Sequence, residues 1–225
     1  MRPPSASTCP PAGRAEARTV RTKVGILISG RGSNMLSLIG AAGGNDFPAE
    51  IVLVLSNRAE AGGLERAREA GIAARAVPSR TYGRDRAAHE AALCAALDEA
   101  GVELVCLAGY MRLFTPFFVQ RWAGRMLNIH PSLLPAFPGV DTHARALAGG
   151  VKLHGCTVHV VTEGMDEGPI LAQAAVPVLS GDTEEALAAR VLAQEHQLYP
   201  AALRRFIEGG GGEAPADAAL RNPAA

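Results

Sequence analysis

Lys23-Val24-Gly25-Ile26-Leu27-Ile28-Ser29-Gly30-Arg31-Gly32-Ser33-Asn34 is an apolar run that empties into a glycine-rich loop, after which Met35, Leu36, Leu38 and Ile39 take up helical spacing. Strand, tight loop, helix is the opening unit of an α/β fold. A strand with no polar alternation belongs in a parallel sheet covered on both faces. The turn aims free backbone N–H groups and the positive end of a helix at one point, which suits an anion such as phosphate. The dinucleotide fingerprint Gly-x-Gly-x-x-Gly lacks its third glycine, because Met35 stands there. A plain tight turn has the same pattern, so the loop alone does not choose between them.

Outward from this unit, residues 50–56 read as a second apolar strand, 64–70 as a short helix closed by Gly71, and 72–77 as a third strand. Asn57-Arg58 follow the second strand with no acidic residue to hold a ribose diol, which disfavours NAD; Arg58 is compatible with NADP or with a surface turn. Residues 82–101 form an alanine-rich helix with Leu93, Leu97 and Ala100 on its core stripe, and Arg86 near its start opposes the helix dipole. A fourth strand, 103–108, leads into Gly109-Tyr110-Met111-Arg112-Leu113-Phe114. Loops at the carboxyl ends of parallel strands are where open α/β sheets bind ligands. The apolar residues of this one suit a planar aromatic ligand, and core packing also explains them.

The next strand carries the polar groups: Leu127-Asn128-Ile129-His130-Pro131-Ser132-Leu133-Leu134-Pro135. Side chains alternate along a strand, so Asn128 and His130 share one face with roughly 7 Å between their Cα atoms. An amide and an imidazole so placed can converge on one oxygen, as stabilising an oxyanion demands. Pro131, Pro135 and Pro138 restrict the loop that follows. A strand-end histidine hydrated by water would look the same in this segment taken alone.

Residues 141–150 read as a short helix, and 151–162 and 169–178 as two strands joined by Glu163-Gly164-Met165-Asp166-Glu167-Gly168, paired antiparallel. His154 and His159 would face opposite sides of their strand, against a joint metal site. Asp182-Thr183-Glu184-Glu185 resembles a capping box, with Asp182 as the cap of a last helix that Pro200 should bend. Leu187, Val191 and Leu198 share a face of that helix with Glu195. A carboxylate on a buried stripe needs a partner or a ligand.

The 22 basic and 22 acidic residues cancel, and 48% hydrophobic with 20% charged residues is ordinary for a globular protein. That balance gives no sign of a nucleic-acid or membrane surface. Cys9, Cys94, Cys106 and Cys156 form no Cys-x-x-Cys pair and read as reduced residues of a cytoplasmic protein. Residues 1–22 hold no apolar run of signal-peptide length and read as a disordered extension, 23–208 as one domain, and 209–225 as a disordered tail rich in glycine, alanine and proline.

Taken together, Ser29-Gly-Arg-Gly-Ser-Asn34, Leu107-Ala-Gly-Tyr-Met-Arg112, Asn128-Ile-His-Pro-Ser-Leu-Leu-Pro135, His154-Gly-Cys-Thr-Val-His159, Asp166-Glu-Gly168 and Gln194-Glu-His196 make the chain resemble the folate-dependent phosphoribosylglycinamide formyltransferases of purine synthesis over residues 23–208. The resemblance implies a Rossmann-like α/β fold, mostly parallel with antiparallel C-terminal strands. It implies transfer of a formyl group from 10-formyltetrahydrofolate, as co-substrate, to the amine of glycinamide ribonucleotide. Metal, nucleic acid and membrane would have no part, and the protein would act as a monomer or homodimer. By motif, Asn128, His130 and Asp166 would be catalytic. Gly32, Ser33 and Asn34 would hold the phosphate and Glu195 the ribose hydroxyls, while Arg86, Met111, Arg112, Leu113 and Val119 would form the folate site. Asp141 and Leu192 depart from the best-known bacterial member, which has a histidine and a glutamine there.

Two relatives of this chemistry are alternatives. A methionyl-tRNA formyltransferase should carry a basic tRNA domain after residue 208, and a formyltetrahydrofolate hydrolase has no need of the Gly32-Ser33-Asn34 cradle. An NADP-binding oxidoreductase or a nucleotide-binding module would use the glycine loop but leave Asn128, His130 and Asp166 unexplained.

Overall fold

A computed structural model of the chain describes residues 21–209 and 219–221; the expectations for residues 1–20, Cys9 among them, and for 210–218 and 222–225 lie outside the described residues. In chain order the elements are β1 (Thr22–Ile28), α1 (Ser33–Ala42), β2 (Ala49–Ser56), α2 (Gly62–Glu69), β3 (Ala74–Ala76), α3 (Arg86–Glu99), β4 (Leu104–Leu107), α4 (Pro116–Arg121), β5 (Met126–His130), α5 (Thr142–Ala148), β6 (Leu153–Val160), β7 (Ile170–Pro177), α6 (Glu184–Glu208) and β8 (Ala219–Arg221). The strands make one sheet ordered β3-β2-β1-β4-β5-β6-β7-β8. β1 to β5 are parallel, β6 and β7 each run antiparallel to the strand before, and β8 is parallel to β7. This is the mixed, mostly parallel sheet that the sequence predicts.

From β1 the chain steps outward to β2 and β3, then returns to the other side of β1 with β4 and β5. That reversal leaves a crevice at the carboxyl ends of β1 and β4, the usual ligand position of an open α/β sheet. The sheet also divides the core. Val24, Ile26 and Ile28 pack on the face covered by α1, α2, α5 and α6, whereas Leu27 packs with α3 and α4 on the other. Gly25 faces α3 so closely that an added Cβ would lie 2.7 Å from Leu97 Cδ2. Along α6, Leu187, Val191, Leu198, Ala202 and Phe206 are buried at helical spacing. Each fully buried leucine or phenylalanine stabilises the fold by about 1.5–3 kcal/mol.

Four details correct the sequence reading. Arg21 and Thr22 belong to the folded unit and not to an extension: the Arg21 guanidinium donates to the carbonyls of Ala42 and Ala49, and Thr22 opens β1. The cap of α6 is Thr183, whose hydroxyl accepts from Ala186 N, because Asp182 is bound to Arg190 at 2.8 Å and accepts from Leu179 N. Within the expected disordered tail, residues 219–221 pair with β7, whose free edge offers unmet backbone donors and acceptors. A 3₁₀ turn, Ser79–Tyr82, precedes α3, so the helix starts at Arg86, capped by Asp85 accepting from Ala88 N. The six-residue α4 is too short to show a periodicity, and only Pro116 at its first turn marks it. α6 continues through Pro200 without ending. Among the described residues no helix is long and apolar enough to cross a membrane.

Candidate active site

Ser29 ties three strand ends together. Its hydroxyl donates to Asn57 Oδ1 at 2.6 Å and accepts from Met111 N at 2.8 Å. The loops after β1 and β4 are therefore held in one place. Gly32 caps α1 with φ 71°, a left-handed conformation that a side chain would strain, and an added Cβ would meet the Met35 side chain at 3.0 Å. From α2, Gly63 N donates to Gly30 O at 3.0 Å and Arg66 donates to Arg31 O at 3.2 Å.

At these strand ends lies a cavity of about 650 Å³, within the range of small-molecule sites. Among its lining residues are Asn34, Met111, Arg112, Leu113, Asn128, His130, Asp166 and Glu195, so most of the sequence-derived site converges there. Four expected residues do not line it. Gly32 and Ser33 precede Asn34 in the loop, and exposed Arg86 reaches the wall from behind, donating to Leu113 O. Val119 is 8% exposed and packed in the α3–α4 half of the core, as its place on α4 dictates. Asp141, with φ 55°, lines the cavity at the start of α5, whereas Leu192 does not. A second cavity, about 470 Å³ at the amino end of β2, is lined mainly by aliphatic residues; Arg21 there already donates to two carbonyls.

The reactive cluster is built by strand register. β5 and β6 pair Asn128 directly opposite His159, and Asn128 Nδ2 lies 3.1 Å from His159 Nε2. His159 Nδ1 is 3.1 Å from the Val160 carbonyl, which can only accept, so Nδ1 carries the proton and Nε2 accepts from the amide. Burial lowers the pKa of His159, partly offset by that carbonyl and by Asp166. A neutral His159 thus orients Asn128 and leaves its second amide N–H free.

Asp166 sits in a turn with φ 58°, followed by Gly168, where an added Cβ would fall 1.7 Å from Val160 O. Only glycine lets the turn approach β6 so closely. Asp166 Oδ2 accepts from Gly139 N at 2.8 Å and lies 3.4 Å from His130 Nδ1, while Oδ1 is 3.8 Å from His159 Nε2. His130 is 5% exposed, and its Nε2 donates to Phe137 O at 3.0 Å. Both nitrogens of His130 therefore face protein groups. The simple expectation that Asn128 and His130 both point at one substrate oxygen is modified: His130 must trade its Phe137 bond to donate there.

Glu195 answers the question its sequence position raised. It is 6% exposed, lines the cavity, and accepts from Asn34 Nδ2 at 2.6 Å, while burial raises its pKa and the amide opposes that. Asn34 Oδ1 is buried with no partner, an acceptor open to a ligand hydroxyl. His159, the Phe137 carbonyl and the Gly139 amide escaped the sequence reading as site groups. A cross-strand register and a loop path place them, and neither leaves a local mark. Among the described residues no group of three or more His, Cys, Asp or Glu side chains is arranged so that it could hold a metal ion.

His143 and His154 meet at 3.2 Å beside the cavity. Burial, then the charge of His143, pushes the pKa of His154 from 6.5 to about 4. The unfolded chain thus binds a proton that the folded one refuses, so this stability is full above pH 6.5 and is lost as pH falls toward 4. At pH 5 His154 alone should cost about 2 kcal/mol. Glu195, raised, acts in the opposite sense above pH 4.5. Thermal melting should show a lower Tm at pH 5 than at pH 7.5, and His154→Gln, which cannot titrate, should reduce that difference. An unchanged difference would refute the assignment.

Residues 22–203 match the model of the formyl transferase family. The chain is 46% identical over 184 residues to the phosphoribosylglycinamide formyltransferase of Escherichia coli K12, covering 82% of this chain and 86% of that one. It is 46% identical over 196 residues to the trifunctional purine biosynthetic protein adenosine-3 of Gallus gallus, covering 87% of this chain but 19% of that protein; the chain spans about one fifth of such relatives. The crystal structure of phosphoribosylglycinamide formyltransferase from Brucella melitensis is similar with a TM-score of 0.79 and 61% identity, covering 83% of this chain and 95% of that one.

Proposed function

Because the chain belongs to the formyl transferase family, we propose that it transfers the formyl group of 10-formyltetrahydrofolate to the amine of glycinamide ribonucleotide, a cytoplasmic step of purine biosynthesis. The observation that carries this reading is the meeting of Asn128, His130 and Asp166 in one cavity that Asn34 and Glu195 also line. In this reading the loop Gly32-Ser33-Asn34 presents N–H donors to the phosphate at the start of α1. Glu195 and Asn34 Oδ1 accept from the ribose hydroxyls. Met111 and Leu113, each 64% exposed, offer the apolar surface a pterin ring needs, with Arg112 between them. Arg86 holds that wall through the Leu113 carbonyl, and Val119 packs in the core half formed by α3 and α4.

The chemistry follows from the groups present. The neutral amine attacks the formyl carbon, and the carbonyl oxygen becomes an oxyanion. The free N–H of Asn128 and a protonated His130 stabilise it, the histidine held by Asp166. The attacking nitrogen loses one proton and folate N10 gains one as the C–N10 bond breaks. Asp166, with oxygens near both His130 and His159, relays that proton directly or through water. Tetrahydrofolate and the formylated ribonucleotide leave.

The test follows tetrahydrofolate release with glycinamide ribonucleotide present and omitted. Release should require the ribonucleotide; equal release without it would favour a formyltetrahydrofolate hydrolase. Asn34→Ala and Glu195→Gln should each raise the ribonucleotide KM about 10-fold or more while leaving the folate KM within about 2-fold. A larger change in the folate constant would overturn the assignment of this side of the cavity.

A further inference from the structure

Glu90 is 2% exposed on α3, a buried carboxylate that belongs to neither the reactive cluster nor the cavity lining. Both of its oxygens are taken by one residue. Oε1 accepts from Thr115 N at 2.8 Å and Oε2 accepts the Thr115 hydroxyl. Thr115 ends the loop that carries Met111, Arg112 and Leu113, and it stands at the N-cap of α4. A threonine there ordinarily caps its own helix; this one makes no side-chain cap bond and instead turns its hydroxyl to donate to Glu90. One turn earlier on the same face of α3, Arg86 donates to Leu113 O.

α3 therefore grips the loop backbone at residues 113 and 115. The grip matters because Met111 and Leu113 point outward and have little packing of their own. On the inner side, Tyr110 stacks on Phe114 at 5.0 Å between centroids, Phe114 stacks on Phe118 at 4.2 Å, and Met111 N is bound to Ser29. These contacts fix the root of the loop and the Phe114 ring, and leave the Leu113 carbonyl and the Thr115 amide to α3.

We propose that Glu90 is a positioning residue for the formyl donor, a buried carboxylate that, with Arg86, fixes the 111–115 backbone so that Met111 and Leu113 form the wall against which the donor's ring binds. It touches no reacting atom. The inference rests on the proposed reading that this wall takes the folate, and it assigns to Glu90 a role in donor affinity separate from the chemistry and from ribonucleotide binding.

Three variants test it. Glu90→Ala should raise the KM for 10-formyltetrahydrofolate at least ~10-fold, with kcat and the ribonucleotide KM within ~2-fold. Glu90→Gln keeps an acceptor for Thr115 N and a donor for its oxygen, so it should restore the donor KM to within ~3-fold of the unaltered protein. Thr115→Val removes the hydroxyl alone and should shift the donor KM in the same direction by less, which keeps the test open should Glu90→Ala not fold. Amide hydrogen exchange of the ligand-free proteins should be at least ~10-fold faster over residues 111–115 in Glu90→Ala, or in Thr115→Val in its place. A donor KM that stays put while only Tm falls, equal changes in both KM values, or unaltered exchange would overturn the proposal. If the unaltered protein transferred no formyl group, the proposed activity would fail, and the exchange measurement alone would decide whether the grip exists.

Discussion

Asp166→Asn should slow formyl transfer at least ~100-fold at pH 7, the lower end of what general acid–base catalysis contributes. The substitution is nearly isosteric, and its side-chain oxygen can still accept from Gly139 N, as Asp166 Oδ2 does at 2.8 Å. What it removes is the capacity to take a proton and the negative charge 3.4 Å from His130 Nδ1. Both KM values should change less than 3-fold, since the groups assigned to the phosphate, the ribose and the folate wall are untouched. The comparison with His130→Ala is the sharper part. Residues acting as one unit give non-additive losses, so the double variant should be about as slow as the worse single one. Near-normal turnover of Asp166→Asn, or losses that simply multiply, would dismiss the shared role.

The second large effect is expected at Asn128. Its Nδ2 is steered by His159 at 3.1 Å, which leaves one amide N–H for the developing oxyanion. Loss of such a donor costs about 100- to 1,000-fold in kcat. Asn128→Asp keeps the shape and removes the donor, so it should be as slow as Asn128→Ala. If Asn128→Asp held more than a tenth of normal turnover in steady-state assays, donation from residue 128 would have no place in the mechanism.

Strand identity was legible because it is written locally. The apolar runs at β1, β2 and β4 have no polar alternation, and a parallel sheet buried on both faces is the arrangement that accommodates them. The facing of Asn128 and His130 followed from the period of two, and the unexplained carboxylate of Glu195 on an apolar stripe pointed to the cavity it lines. Other features are non-local. Asn128 meets His159, 31 residues along the chain, through the register of two strands, and Phe137 reaches His130 through a loop path that no spacing rule encodes. Asp182 was misread as a cap because Arg190, two turns along, competes for it. Val119 packs in the core and does not line the cavity, a placement the motif match left open because it gives position in the chain and not the face of a short helix.

On the proposed assignment of the two ligands, the sheet's division of the core bears on how each would be held. The donor wall leans on the half formed by α3 and α4, where Leu93, Leu97, Phe118 and Trp122 pack. The ribonucleotide cradle leans on the other half, where α1 and α6 bring Asn34 to Glu195. On that assignment each ligand would rest on its own half of the core, with Asn128 and His130 on the strand between them. Packing changes on one side can loosen or reshape the hold on one substrate while the other keeps its fit, so the two affinities are free to drift independently over sequence change without disturbing the reaction centre on β5.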